Sequence, residues 1–295
     1  MRTVDLILTA AESYLPGDFV VHRALPRREL RRVGGFVFLD HFDQPNITPE
    51  LFDVPPHPHV GLQTVTYLFE GEILHIDSLD NQLSITPGDV NWMTAGRGIT
   101  HAEQVTKLLP RIHGIQSWVG LPHEKRKVEP AFEHFAKENL PKVTGENFEI
   151  TVIAGRCEEQ ESPIPTFQDL VYLDILADAG ASYELSVDRS HELAVYVCEG
   201  SISVDSKVIE RHDLASLTPG DSVGFTANSK ARFVLFGGEP LPDPTVIYWN
   251  FITDTVYEAR QRESDWKNGE FPSVAKYRKI SSAGDEDLTE RMKLL

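Results

Sequence analysis

Short apolar runs, separated by turn-forming residues, follow one another along most of the chain. The runs are rich in Val, Ile, Phe, Tyr and Thr, the residues that are enriched in β-strands. Examples are GGFVFLD, QTVTYLFEG, EILHIDS, FEITVIAG, LVYLDILA, LAVYVCEG, SISVDS and ARFVLFGG. Many short strands at this spacing, bounded by Gly, Pro, Asn and Asp, predict an all-β protein built as a sandwich or barrel.

Helical patterns are rare. The clearest helix is predicted over residues 254–267, with Asp254 or Thr255 as its N-cap and the Asn268-Gly269 pair as its end. Residues 121–147 are charged and contain three prolines, so a connector is predicted there.

A faint internal repeat divides the chain. The tetrapeptide TPGD occupies residues 86–89 and again 218–221, an offset of 132 residues. Upstream of each lies an apolar strand that ends in Glu-Gly, at Gly71 and at Gly200. Matching motifs in the same order predict two tandem copies of one barrel, over residues 1–135 and 136–295, the second carrying the C-terminal helix and tail.

Charge and hydropathy narrow the function classes. The 295 residues carry 45 acidic and 28 basic side chains, a net charge of -17. Nucleic-acid-binding surfaces are basic, so direct binding of nucleic acid is not expected. No apolar run approaches the roughly 20 residues that span a bilayer, and the first residues make a poor signal peptide. We therefore expect a cytoplasmic protein without a membrane partner.

Two smaller features bear on partners and redox state. Five arginines lie between residues 23 and 32; a solvated face is the expected interpretation, and an anionic partner the alternative. Cys157 and Cys198 are far apart in sequence, so no disulfide is expected, and Cys198 is expected to be a buried thiol in an apolar strand.

Histidine is concentrated where the chemistry is expected. Eight of the eleven histidines lie between His41 and His134. His57 and His59 precede the strand QTVTYLFEG, and His101 and Glu103 follow the segment MTAGRGIT. Residues i and i+2 of a strand point to the same face, so each pair can direct two ligand atoms at one point.

Three imidazoles and one carboxylate suit a borderline divalent metal such as Fe, Mn, Ni, Cu or Zn. A closed structural zinc site would more often include cysteine. Four protein ligands on an octahedral ion leave two positions open for water, dioxygen or a substrate oxygen. The sequence therefore predicts a metal site with exchangeable positions.

The segments PPHPHVGLQTVTYLFEGEILHIDS and ITPGDVNWMTAGRGITHAE resemble the N-terminal barrel of the pirin family. Pirins are two-domain members of the cupin superfamily, whose barrels are double-stranded β-helices of the jelly-roll type. The resemblance extends to VGGFVFLDHFD and IHGIQSWVGLP, and more loosely to the second half with its closing WNF. It implies two tandem cupin barrels with a few short helices.

The resemblance also implies the metal ligands, which are His57, His59, His101 and Glu103, and one metal per chain, Fe(II) first, with Ni, Mn, Cu or Zn as alternatives. A usual cupin has a glutamate four or five residues after its HxH motif. Here Gln63 and Thr64 stand there, and Glu103 supplies the acid.

The second half lacks such ligands at the positions that the offsets assign. His57 and His59 would correspond to Ser186 and Asp188, and His101 and Glu103 to the neighbourhood of Phe233 and Leu235. His191 lies out of register and is expected at the surface or in an interface. A metal-free second barrel that supports the first is therefore predicted.

Two functions are compatible with the resemblance. The first is a quercetin 2,3-dioxygenase-like oxidoreductase, which opens a flavonol with O2 and uses Glu103 as the catalytic base. The alternative is a redox-responsive regulatory protein that binds transcription factors or metabolic enzymes. Isomerase and sugar-binding cupins remain further possibilities. The candidate walls of a flavonol pocket are Phe42, Phe52, Trp92, Met93, Gln116 and Trp118.

Overall fold

A computed structural model of the chain describes residues 1–242 and 244–280. Its regular secondary structure is mostly β-strand, as the sequence predicts. The first twelve are β1 (Val4–Thr9), β2 (Ala11–Leu15), β3 (Phe19–Leu25), β4 (Phe36–Ile47), β5 (Asp53–His59), β6 (Leu62–Glu70), β7 (Ile73–Asp77), β8 (Gln82–Ile85), β9 (Val90–Thr94), β10 (Ile99–Gln104), β11 (Leu109–Gly120) and β12 (Ala131–Phe135). The others are β13 (Lys142–Gly145), β14 (Phe148–Ala154), β15 (Arg156–Cys157), β16 (Gln160–Glu161), β17 (Leu170–Ala177), β18 (Ser182–Ser186), β19 (Glu192–Glu199), β20 (Ser201–Val204), β21 (Lys207–Glu210), β22 (Asp213–Leu217), β23 (Ser222–Ala227), β24 (Ala231–Gly238), β25 (Val246–Tyr248) and β26 (Phe251–Thr253).

The chain forms two compact units. One contains Met1–Ala11, His22–Leu39 and Ala136–Pro240, and the other contains Glu12–Val21, Asp40–Phe135 and the described residues from Leu241 onward. We call the jelly roll around β5 to β12 the first barrel and the one around β17 to β24 the second barrel. Each has its own apolar core: Phe19, Phe42, Phe52, Leu68 and Ile112 are among the residues of one, and Val152, Leu173, Val195 and Phe233 are among those of the other.

The two barrels have the same topology. A four-stranded sheet runs β5-β10-β7-β8 in the first and β18-β23-β20-β21 in the second. The facing sheets run β12-β9-β6-β11-β4-β3-β2 and β1-β22-β19-β24-β17-β14-β13. Matched position by position, β9 corresponds to β22 and β10 to β23. The predicted all-β pair of tandem cupin barrels is confirmed.

The TPGD motif, which suggested the repeat, does not occupy equivalent corners of the two barrels. The first TPGD joins β8 to β9, whereas the second joins β22 to β23, which is the next corner of the jelly roll. Pro, Gly and Asp favour tight turns wherever two strands meet, so the same four residues can serve different corners. The offset of 132 therefore does not align the two barrels.

Helical structure is sparse. Helix α1 (Val256–Lys267) begins at the predicted cap, where the Thr255 side chain accepts a hydrogen bond from the Glu258 amide, and ends at Asn268. Short 3-10 turns occupy Pro16–Asp18, His123–Lys125 and Lys137–Asn139. The predicted connector is partly wrong, because β12 and β13 lie within it and β12 pairs with β9. Among the described residues, no helix is long and apolar enough to cross a membrane. Both cysteines are free and buried.

Candidate metal centre

Three imidazoles meet on the inner side of the β5–β10 pair. The two strands are antiparallel, with His101 opposite His57 and Ile99 opposite His59. Their alternation turns all three rings to one face. The exposed fraction is 6% for His57, 0% for His59 and 1% for His101, and the ring centroids lie 4.4–5.0 Å apart.

The end of β5 is fixed by a close backbone approach. Gly61 has φ +71°, and a Cβ there would lie 2.0 Å from the Ile252 carbonyl oxygen. The Ile252 amide donates to the Val60 carbonyl at 2.9 Å. A glycine next to the HxH segment therefore lets the β25–β26 hairpin dock beside His59.

The hydrogen bonding of the rings fits a metal ligand set. Nδ1 of His57 lies 2.9 Å from the Pro55 carbonyl, which leaves Nε2 for an ion. Neither ring nitrogen of His59 or His101 has a hydrogen-bond partner among the described residues. Buried polar atoms are normally paired, so the unpaired ring nitrogens of two neighbouring histidines indicate a missing partner. Ligand atoms of all three histidines lie within 4.8 Å of one another.

Burial holds these rings in the form that binds metal. It lowers the pKa of His57 to about 4, against a smaller raising effect of the Pro55 carbonyl. It also lowers the pKa values of His59 and His101 well below the ordinary value of histidine. Only a neutral imidazole can donate a lone pair to a metal, so all three rings are ready to bind at neutral pH.

Glu103 lies on the same strand as His101, two residues further on, beyond a register shift against β5. It is 8% exposed, and its Oε1 accepts a hydrogen bond from Oγ1 of Thr66 at 3.2 Å. Burial raises the pKa of Glu103, while the neighbouring His75 and the Thr66 hydroxyl act in the opposite direction.

Sequence reasoning missed His75. It lies on β7 directly opposite Glu103, and its ligand atom comes within 4.8 Å of those of His101 and Glu103. Its Nε2 lies 3.1 Å from Oδ2 of Asp77, and its ring stacks on Phe132 at 4.1 Å. The four predicted ligands thus form two overlapping groups that share His101, and His75 completes the second. The HID triplet in EILHIDS was the available signal.

The six residues that were predicted to line a flavonol pocket do not all lie together. Trp118 packs edge-on against His59, with centroids 5.0 Å apart. Gln116 and Met93 lie opposite Thr66 and Thr64, on the face that carries the Thr66–Glu103 contact.

The other three lie elsewhere. Phe42 and Phe52 belong to the apolar core cluster with Phe19. Trp92 pairs with Val65, whose side chain alternates to the opposite face from Thr64 and Thr66.

Strand register shows what replaces the ligands in the second barrel. Counted from the Glu-Gly turns, Ile202 on β20 corresponds to Ile73 on β7. The pairing of β20 with β23, compared with that of β7 with β10, then matches Phe225 with Glu103 and Val223 with His101. Leu185 lies opposite Val223 as His57 lies opposite His101, so Leu185 matches His57 and Val187 matches His59. All four counterparts are apolar. The assignments to Ser186, Asp188, Phe233 and Leu235 are wrong, because they applied the offset of the Glu-Gly turns (129) or of the TPGD turns (132) to strands that those turns do not align.

Comparison with known proteins places the chain in a family. The Pirin model matches residues 18–119, and the model of the pirin C-terminal cupin domain matches residues 172–272. A pirin-like protein of Caulobacter vibrioides is 38% identical over 274 residues, which cover 90% of this chain and 94% of that protein. Human pirin is 34% identical over 255 residues, covering 84% of this chain and 86% of that protein.

A solved structure agrees over nearly the whole length. The crystal structure of a quercetin 2,3-dioxygenase from Acinetobacter baumannii matches with a TM-score of 0.87 and 30% sequence identity, covering 96% of both chains. The first and second parts of the chain therefore match the same family of proteins, in the same order. The chain belongs to the pirin family of two-domain cupins.

Proposed function

We propose that the first barrel is a metal-dependent dioxygenase centre that opens flavonols such as quercetin with O2. The observation that carries the proposal is the buried cluster of His57, His59 and His101 beside a carboxylate with a raised pKa. Within that cluster, the ring nitrogens of His59 and His101 have no hydrogen-bond partner among the described residues. The similarity to a quercetin 2,3-dioxygenase of Acinetobacter baumannii supports the same reaction class.

The donor set suits a divalent ion held by His57, His59, His101 and Glu103, with Fe(II) as the proposed metal. When bound, the ion would supply open positions for oxygen ligands and the redox chemistry that dioxygen needs. On the neighbouring strand β7, His75 lies opposite Glu103 and Asp77 lies opposite His101. There they can fix the orientation of these two ligands.

The protein's own part is to bind a flat phenol and accept its proton. Trp118 offers an aromatic surface beside His59, and Gln116 offers a polar group on the same face as Thr66. Burial raises the pKa of Glu103, which makes its carboxylate a stronger base and suits proton transfer. It would take the proton of the flavonol hydroxyl while the Thr66 hydroxyl holds its second oxygen. Cleavage would release carbon monoxide and a depside.

The test is turnover of quercetin in air by protein with verified iron content. We expect loss of the flavonol absorbance band together with release of about one carbon monoxide per flavonol consumed. A metal-free His101→Ala variant is the control for uncatalysed oxidation. Iron-loaded protein with no turnover above that control would contradict the dioxygenase proposal and favour the redox-responsive regulatory alternative.

A further inference from the structure

The second barrel contains a cavity of about 610 Å³, with no counterpart in the proposed dioxygenase chemistry. Its volume falls within the roughly 300–1,000 Å³ typical of small-molecule sites. Leu185 and Val187 line it. These are the register counterparts of His57 and His59, whereas Val223 and Phe225, the counterparts of His101 and Glu103, are not among its lining residues. The cavity therefore lies on the β18 side of the site that corresponds to the metal centre.

The floor of the cavity is apolar. Val171, Leu173 and Leu185 line it and are 7%, 2% and 1% exposed. Cys157 lines it as well, is 4% exposed and is a free thiol. Burial raises the pKa of Cys157 to about 11, so the thiol stays neutral and presents a soft apolar surface. Such a floor favours a hydrocarbon or aromatic body over a metal ion.

The rim of the cavity is acidic. It is lined by the carboxylates of Glu158, Glu161, Asp169 and Asp188, with Arg156 and His191 as the basic groups. Arg156 pairs with Glu161 at 2.7 Å, which neutralises one carboxylate. Nε2 of His191, which is 9% exposed, lies 3.4 Å from Oδ2 of Asp169. The Asp188 carboxylate also interacts with Arg2, so Glu158 and Asp169 are the carboxylates that leave the mouth negatively charged.

We propose that the second barrel binds a small organic amine, whose apolar body lies on the floor around Leu185 and whose ammonium group meets the carboxylates of the rim. A negatively charged mouth attracts a cation and repels a carboxylate or a phenolate. None of the residues that line this cavity belongs to the proposed flavonol pocket.

The matched probes are 2-phenylethylamine and phenylacetate, which share an apolar body and differ in charge. Isothermal titration calorimetry on the full chain should give one amine per chain with a dissociation constant on the order of 1 mM or lower, the range for about nine non-hydrogen atoms. Phenylacetate should bind at least about tenfold more weakly. Metal-free and iron-loaded protein should give the same amine affinity.

Two variants locate the binding. Glu158→Gln with Asp169→Asn should weaken amine binding about tenfold, while the control Glu184→Gln with Asp178→Asn, exposed acids of this barrel outside the cavity, should change it less than about twofold. Val187→Phe should fill part of the cavity and weaken amine binding, and circular dichroism should confirm that the variant is folded. Equal affinity for both probes, no measurable amine binding, or equal losses in the rim and control variants would overturn the proposal.

Discussion

Glu103 differs from the three histidines around it in one chemical respect. The lowered pKa values of the buried imidazoles make them poor proton acceptors, whereas a carboxylate can bind a metal and also accept a proton. Burial raises its pKa, and the hydroxyl of Thr66 donates to its Oε1 at 3.2 Å. Metal binding and proton transfer at this residue can therefore be separated by substitution.

Replacing Glu103 by Gln keeps the shape and one oxygen donor but removes the base. We expect the variant to keep much of its metal and to lose quercetin turnover by roughly 10²–10⁴-fold. Metal content by elemental analysis and steady-state kinetics on the same sample provide the check. A metal-loaded variant with full turnover would mean that Glu103 is a ligand only.

His75 is predicted to act through the ligands that it faces. His75→Ala should weaken metal binding about 10–100-fold, because outer residues orient the inner ones. His134→Ala is the control, since His134 contacts Asn91 at 2.8 Å and belongs to neither ligand group. The metal affinity of both variants can be measured by competition with a chelator of known affinity. Equal affinities in the two variants would assign His75 a packing role beside Phe132.

At the scale of elements, a buried arginine joins the loop after β11 to the segment that precedes α1. Arg126 is 3% exposed and donates to the carbonyls of Leu121 and Pro244 and to the hydroxyl of Thr245. Its guanidinium also pairs with Asp254. This network connects the β11 end of the first barrel with the C-terminal helix.

Asp254→Asn should destabilise the protein by about 1.5–3 kcal/mol, the range for hydrogen bonds to charged groups. Burial raises the pKa of Asp254, but hydrogen bonds and charge from His123 and Arg126 outweigh it and the net pKa is lowered. A lowered carboxyl pKa gives stability that is complete above about pH 4 and is lost as the pH falls through the folded-state value.

The difference between wild type and Asp254→Asn in denaturant midpoints should therefore shrink on acidification below about pH 4. His123→Ala is the matched control: its side chain is 63% exposed and pairs with the same carboxylate, so a loss of less than about 1 kcal/mol is expected. A difference that stays constant down to pH 2 would show that the charge of Asp254 is not what stabilises the network.

At the scale of the whole molecule, the two barrels share one topology and differ in what lies at the ligand positions. The first places three imidazoles and a carboxylate there, and the second places Leu185, Val187, Val223 and Phe225. We expect elemental analysis after anaerobic purification to give about one metal per chain. Two tightly bound metals would contradict the assignment of the second barrel as metal-free.

Metal binding should also stabilise the folded chain, because an ion that binds only the native state shifts the unfolding equilibrium. At a free metal concentration of about 100 times the dissociation constant, the gain is about 2.7 kcal/mol. Calorimetry should therefore show a higher melting temperature for the loaded protein than for the chelated one. His101→Ala, which lacks a ligand, should show no such difference.

The sequence by itself determined the strand-rich fold, the cap and end of α1, and the pairing of His57 with His59 and of His101 with Glu103. These depend on local rules: period-two alternation on a strand and side-chain capping at a helix end. The family resemblance rested on the same local segments.

Only the tertiary structure decided which strands meet. It brought His75 opposite Glu103, turned Trp92 away from the face of Thr66, and placed the two TPGD turns at different corners. It also moved the ligand counterparts of the second barrel by one residue, from Ser186 and Asp188 to Leu185 and Val187. Register between strands distant in sequence is fixed by packing of the whole sheet, and a slip of one residue exchanges the inner face for the outer.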